Sequence, residues 1–331
     1  MSEKQKPLVS IRCIVYNQER YIRDCLDGFV KQKTNFAFEA IVHDDASTDG
    51  TAAIIREYAA KYPDTIKPII ETENQYSKHD GSLRRIMDDA CQGKYVAFCE
   101  GDDYWIDPLK LQRQVDFLES HSEYSMCWTD AYQETFGERM AYQRYAEDCQ
   151  SPLEDIIEKG GDFIPTCSIV IRKDAYQAMP KEARGFYCGD YPLQMWGAYV
   201  GKAYYLKEQT CVYRFMAIGS WTAKTANESV ESIRKHFVNE KFLLDSFNKL
   251  FGYQYNEAFE KRAAQILYNL LLNVGDYAKL KPYINLRDKY GWPVSKSIRM
   301  KADGHPILGI VLEKLGKVKM IFETTICKLR H

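Results

Sequence analysis

No pair of cysteines stands at C-x-x-C spacing and no histidine follows at zinc-finger distance, so the ten cysteines do not spell a structural zinc site. They are scattered, several of them inside apolar runs, which is the usage of a reducing compartment. The opening "MSEKQKPLVS" has no apolar core of the kind a signal peptide needs. No run reaches the roughly 18–20 uninterrupted apolar residues of a spanning helix, and the expectation is a cytoplasmic protein. A net charge of −1 gives no basic excess, so no nucleic-acid partner is expected. Two phosphate-binding loops are also missing: no G-x-G-x-x-G follows the first apolar run, and there is no G-x-x-x-x-G-K-[ST]. Phosphate is therefore not cradled by glycine in the manner of dehydrogenases or P-loop enzymes.

What is present is an alternation. "PLVSIRCIVYN" (7–17) reads as a strand running into a loop, and residues 18–32 have helical spacing at Tyr21, Ile22, Cys25, Leu26 and Phe29. "FEAIVHDD" (38–45) is a second strand, followed by a turn and a helix that stops near Pro63. "TIKPIIET" is a third strand, "LRRIMDDACQGK" a helix closing at Gly93, and "YVAFC" (95–99) a fourth strand. This order predicts an α/β fold, a doubly wound, mostly parallel sheet. The helix after Pro108 takes Asp107 as its cap. Residues 124–215 read as the far side of the sheet with mixed strand directions, including one acidic turn, "YCGDYPLQMWGAY". From about 225 the pattern is helical, which divides the chain into a domain over 1–224 and a helical C-terminal appendage over 225–331.

Two strands end in acid. Asp44 and Asp45 close the second; Glu100, Asp102 and Asp103 follow the fourth. Ligands of such sheets bind beyond the carboxyl ends of the strands. Clustered carboxylates raise one another's pKa unless a cation offsets them, and one or two carboxylates plus substrate phosphate commonly hold Mg²⁺ or Mn²⁺. The acids are thus candidate ligands of a divalent metal that carries a diphosphate. A solvated acidic turn is the plainer reading, but the repeat of the pattern at two strand ends favours metal and nucleotide.

"VSIRCIVYNQERYIRDCL", "HDDASTDGT", "GKYVAFCEGDDYW" and "GDYPL", in this order, resemble glycosyltransferase family 2 over roughly residues 7–221. The resemblance implies the GT-A fold, with a nucleotide-binding first half. It further implies inverting transfer of a sugar from a nucleotide-sugar donor, UDP-linked, to a glycan or lipid-linked acceptor in bacterial surface-polysaccharide assembly, with Mn²⁺ or Mg²⁺. By position, Tyr16 and Asn17 would flank the nucleotide, Asp45 would receive the base or ribose with Asp44 in support, and Arg84 would contact nucleoside or phosphate. Asp103 would be the principal metal ligand, with Asp102 binding metal or ribose. Glu100 stands where the family has its first Asp. Asp190 matches the position of the general base. The family often has a His after a "YR" pair; here Tyr213-Arg214 is followed by Phe215 and Met216, leaving Arg214, Ser220 or the loop around Trp221 as diphosphate contacts.

Two other functions fit the same acids: a Mg²⁺-dependent nucleotidyltransferase or phosphatase, and a catalytically silent nucleotide-sugar-binding module. At the C-terminus, apolar residues recur at helical spacing from Ile307 to Phe322 among Lys314, Lys317, Lys319 and Lys328. Such a helix packs on the catalytic domain or on a second copy in a homo-oligomer. Alternatively it rests on an anionic membrane, giving peripheral contact at the inner face of the plasma membrane through 306–331.

Overall fold

The computed structural model describes residues 6–186, 189–225 and 229–305. The first half alternates as expected: β1 (Val9–Val15), α1 (Ile22–Val30), β2 (Phe38–Asp44), α2 (Thr51–Lys61), β3 (Ile66–Ile70), α3 (Ser82–Ala90) and β4 (Tyr95–Phe98). β1, β2 and β4 are buried along nearly their whole length. That is why they read as continuous apolar runs rather than alternating ones. β2 and β4 both pair parallel with β1, and β3 pairs parallel with β2. The chain therefore leaves β1 toward β3 on one side and returns to β4 on the other. The switch in strand order falls between β1 and β4, the place where such sheets open a crevice.

The second half is β5 (Tyr104–Trp105), α4 (Lys110–Ser120), β6 (Tyr124–Thr135), β7 (Glu138–Ala141), β8 (Cys149–Ser151), α5 (Leu153–Lys159), β9 (Val170–Arg172), α6 (Lys173–Gln177), α7 (Asp190–Val200) and β10 (Lys202–Arg214). It extends the sheet to the order β3-β2-β1-β4-β9-β6-β10-β5, with β7 on β6 and β8 on β10. β9 runs antiparallel to both β4 and β6, and β5 antiparallel to β10. One face is packed by α1, α2 and α4 around Ile11, Cys13, Leu26, Phe29, Ile55, Leu111 and Val115. The stretch expected as an acidic turn is instead the start of α7, whose residues Tyr191 to Ala198 are all buried. An element apolar on every side shows no 3.6-residue stripe, so periodicity does not reveal it.

α8 (Trp221–Thr225), α9 (Val230–Leu250), α10 (Asn256–Asn273), α11 (Lys281–Lys289) and α12 (Lys296–Ala302) follow. The chain forms two compact units, one within Met1–Asn227 plus Asp245–Ala258, the other within Glu228–Leu244 plus Phe259–His331. The first unit thus includes the end of α9: Phe251 stacks on Tyr199 at 3.9 Å, and Phe247 packs against Phe186 and Phe251. The second is held by a small core of Tyr268, Leu271, Leu280 and Ile284 and by the Arg262–Glu240 ion pair. No helix among the described residues is long and apolar enough to cross a membrane. The segment 306–331, expected as an amphipathic helix, lies outside the described residues.

Candidate active site

The loop after β1 and the end of β2 are tied together residue by residue. Asn17 adopts a left-handed backbone (φ 54°), which Asn tolerates better than most side chains. Its amide donates to the Ser47 hydroxyl at 2.8 Å, and its side-chain oxygen accepts from the Thr48 amide at 2.8 Å. Tyr16 beside it is 43% exposed. The two acids that close β2 have different surroundings. Both oxygens of Asp45 accept backbone N–H bonds, from Gln75 at 2.6 Å and Tyr76 at 3.0 Å. Asp44 accepts one, from Ser47 at 3.3 Å, and its other oxygen is buried without a partner. Burial pushes the Asp44 carboxyl above the ordinary carboxylate range.

The acid loop after β4 continues the pairing with β1, through Cys99 N–H to the Arg12 carbonyl and Gly101 N–H to the Ile14 carbonyl. At Gly101 a Cβ would stand 2.2 Å from Val15 Cγ1, so the loop lies this close to β1 only because the residue is glycine. Asp103 is buried; it accepts the Arg214 amide at 2.8 Å and has the Cys167 thiol beside it. Arg214 holds the loop from behind: Nη1 donates to the Asp102 carbonyl at 2.9 Å, Nε to Glu134 at 3.1 Å and Nη2 to Asp24. Its guanidinium also lies over the Tyr104 ring at 4.2 Å. These bonds engage all three of its nitrogens. Ser220 accepts from the Ala223 amide at 3.2 Å and so caps the following short helix.

Asp190 is the first residue of α7 and is exposed. Water reaches it, yet enough protein surrounds it that lost hydration raises its pKa; the Thr166 hydroxyl and Arg12 pull the other way. Burial raises Glu100 to about 8, opposed by Arg12 and reinforced by Asp190 and Asp102. Asp102 is raised by burial and by Asp190, and lowered by Arg214 and the Gln18 amide. Asp103 is raised by burial and by the Asp102 charge. The fold thus brings Glu100, Asp102, Asp103 and Asp190 within electrostatic reach of one another. Arg84 stands on α3 with different partners: Asp88 at 3.3 Å, the Met179 sulfur at 3.8 Å and the Tyr176 ring at 5.0 Å.

Among the described residues no three His, Cys, Asp or Glu side chains are placed to ligate one ion. The residues do fit a metal that arrives with a diphosphate. Glu100 and Asp102 are carboxylates held above their ordinary pKa by burial and by neighbouring carboxylates, Asp190 for both and Asp102 for Glu100, which a divalent cation would relieve.

Several residues of the site were not anticipated from the sequence. Arg12 is a charge in the middle of a buried strand, a signal that composition alone offers. Tyr213 sits among Asp103, Asp162, Asp102 and Asp190, and burial with those charges raises its phenol well above the ordinary value. Thr166 and Cys167 have no local motif to mark them.

Residues 10–180 match the sequence profile described as Glycosyl transferase family 2. The chain is 38% identical over 223 residues to Rv1520 of Mycobacterium tuberculosis, named only as an uncharacterized protein, covering 64% of this chain and 60% of that one. It therefore spans about 60% of the length of that relative. It is 34% identical over 113 residues to WfaP of Escherichia coli, named as a UDP-Glc:alpha-D-GlcNAc-diphosphoundecaprenol beta-1,3-glucosyltransferase, covering 34% of this chain and 42% of that one. The crystal structure of S. aureus TarS 1-349 in complex with UDP-GlcNAc matches with a TM-score of 0.54 at 18% identity, over 93% of this chain and 92% of that one. That likeness shows a shared fold.

Proposed function

The chain belongs to glycosyltransferase family 2 and has its GT-A fold. From that premise we propose that it transfers a sugar, with inversion, from a UDP-linked donor to a hydroxyl of a glycan or lipid-linked acceptor. The observation that supports this reading is that Asp190, at the start of α7, acts electrostatically on both Glu100 and Asp102 of the loop that follows β4. In a single displacement the donor's diphosphate leaves from one side of the anomeric carbon and the acceptor arrives on the other. The acid loop suits the first side and Asp190 the second. The acceptor oxygen bonds the anomeric carbon while Asp190 takes its proton. The bond from that carbon to the diphosphate oxygen breaks, and its electron pair leaves with the diphosphate.

We assign the unpaired oxygen of Asp44 and the exposed Tyr16 to the nucleoside, with Asp45 and Asn17 holding the two loops that frame it. Asp102 and Glu100 are the acids that would face a divalent metal, which supplies charge neutralisation to the leaving diphosphate. Asp103, tied to the Arg214 amide, anchors the loop. This gives Asp44 and Asp102 the direct contacts that the sequence pattern placed first on Asp45 and Asp103. The WfaP relative supports a UDP donor and a lipid-linked acceptor by its name. The assay is release of free nucleoside diphosphate from UDP-glucose, UDP-N-acetylglucosamine or GDP-mannose with Mn²⁺, against glycan and lipid-linked acceptors. Asp190→Asn should leave donor binding within about twofold of the parent and lower turnover at least about a hundredfold. Near-parental turnover in that variant removes Asp190 from the role of base, and release of pyrophosphate instead of nucleoside diphosphate refutes glycosyl transfer.

A further inference from the structure

β1, Val-Ser-Ile-Arg-Cys-Ile-Val, carries a single charged side chain. The parallel ladders place Arg12 level with Ile41 on β2 and Phe98 on β4. It is only 9% exposed, its guanidinium lies 5.7 Å from the centre of the Phe98 ring, and its Nε is buried without a hydrogen-bond partner. Two more polar atoms in the same neighbourhood are buried and unpartnered, Nη2 of Arg84 and Oδ1 of Asp88. Tyr176 joins them: its ring meets Phe98 edge-on at 5.6 Å and underlies Arg84 at 5.0 Å. The great majority of buried polar atoms in proteins are paired, so three unpartnered ones beside the Phe98 and Tyr176 rings, even with Arg84 and Asp88 bonded to each other through Nε and Oδ2, mark a place that can take further hydrogen bonds.

The charges around Arg12 say what it is built to receive. Glu100 and Asp88 act on it, and Arg12 in turn acts on Asp190. Its register beside Phe98, two residues before Glu100, sets it next to the acid loop, and it lies within electrostatic reach of the proposed base, the two groups between which the nucleotide-sugar reading seats the transferred ring. Three carboxylates close by would repel a second anion. The hydroxyls of a neutral sugar can accept from the guanidinium and donate to those carboxylates at once.

We propose that Arg12 is a specificity-determining contact to the transferred sugar, donating N–H bonds to the hydroxyl oxygens of a neutral hexose or N-acetylhexosamine. The inference rests on the nucleotide-sugar reading above and goes beyond it, because a contact to the sugar ring is separable from contacts to the nucleoside diphosphate.

Calorimetric titration of the whole protein in Mn²⁺ buffer separates them. The probes are UDP-glucose, UDP-N-acetylglucosamine and GDP-mannose, each against UDP or GDP alone. Arg12→Met should bind the preferred nucleotide sugar at least about tenfold more weakly, the scale of a lost hydrogen bond to a charged group. Its affinity for the matching nucleoside diphosphate should stay within twofold. Equal weakening of both probes would make Arg12 a diphosphate contact, and no change in either would make it a structural counter-ion; each overturns the proposal. Should Arg12→Met lose its melting transition, Arg12→Lys carries the test, since it retains the charge but not the planar fork of donors. Parental affinity for the nucleotide sugar in a folded Arg12→Lys protein also overturns it. A parent protein that binds none of the probes refutes the nucleotide-sugar reading itself, and this inference with it.

Discussion

Glu100 is held at about 8, far above the ordinary carboxylate value, by burial first and by the charges of Asp190 and Asp102 next. Its unfolded counterpart titrates at roughly 4.3. Between those values the folded state binds the extra proton, so the contribution of Glu100 to the stability of the metal-free protein falls as pH rises from about 4.3 through about 8. Glu100→Gln removes that dependence and should melt higher than the parent at pH 8 without metal, by about 2–4 °C, with the difference closing toward pH 4.5. Differential scanning calorimetry of both proteins across that range checks it, and a melting difference between variant and parent that is the same at pH 5 and pH 8 would contradict the assignment. At this scale the sequence was informative where charge interrupts an apolar run: the acids closing β2 and following β4 needed no structure to be noticed. Which acid keeps a free oxygen was not legible. The bonds that occupy Asp45 come from the amides of Gln75 and Tyr76, and the one on Asp103 from Arg214, more than a hundred residues along the chain.

The elements that carry these residues were legible for a physical reason that stops at the middle of the chain. β1, β2 and β4 are fully covered strands separated by amphipathic helices, and each period is visible within a short window. α7 is covered on every side, and the pairing of β10 with β6, β5 and β8 joins segments far apart in sequence. Arg214, the last residue of β10, shows what this topology achieves. Through one side chain and one amide it fastens the acid loop to β10, to Glu134 on β6 and to Asp24 on α1. Arg214→Met should cost about 1–2 kcal/mol of stability, since it leaves the half-exposed Asp24 without a cation, Glu134 with Arg139 alone and the Asp102 carbonyl without its donor. The variant should also lose Mn²⁺-dependent nucleotide binding, because the acid loop loses its backing. Chemical denaturation and titration with UDP and Mn²⁺ check the two effects. Parental nucleotide affinity in the destabilised variant would show that the loop keeps its shape without Arg214.

Across the whole molecule, the helical pattern draws a boundary at 224/225, and residues 245–258 beyond it group with the first compact unit. A helix beginning beyond that boundary, α9, returns its last turns to the first unit, where Phe247 and Phe251 are fully buried against Phe186 and Tyr199. Burying two such rings contributes about 3–6 kcal/mol on transfer grounds. A chain ending at residue 224 lacks both, and would expose Tyr199 and its neighbour Trp196 on α7. A chain ending at 258 keeps the segment that the first unit uses. The shorter chain should therefore unfold well below the longer one or be recovered as aggregate, and only the longer should bind UDP with Mn²⁺, since α7 begins with Asp190 and its packing sets where that carboxylate stands. Thermal melts of the two chains, followed by nucleotide titration, make the comparison. Equal melting temperatures would show that residues 245–258 pack on the first unit without supporting it, and that Asp190 is positioned by the sheet and α6 alone.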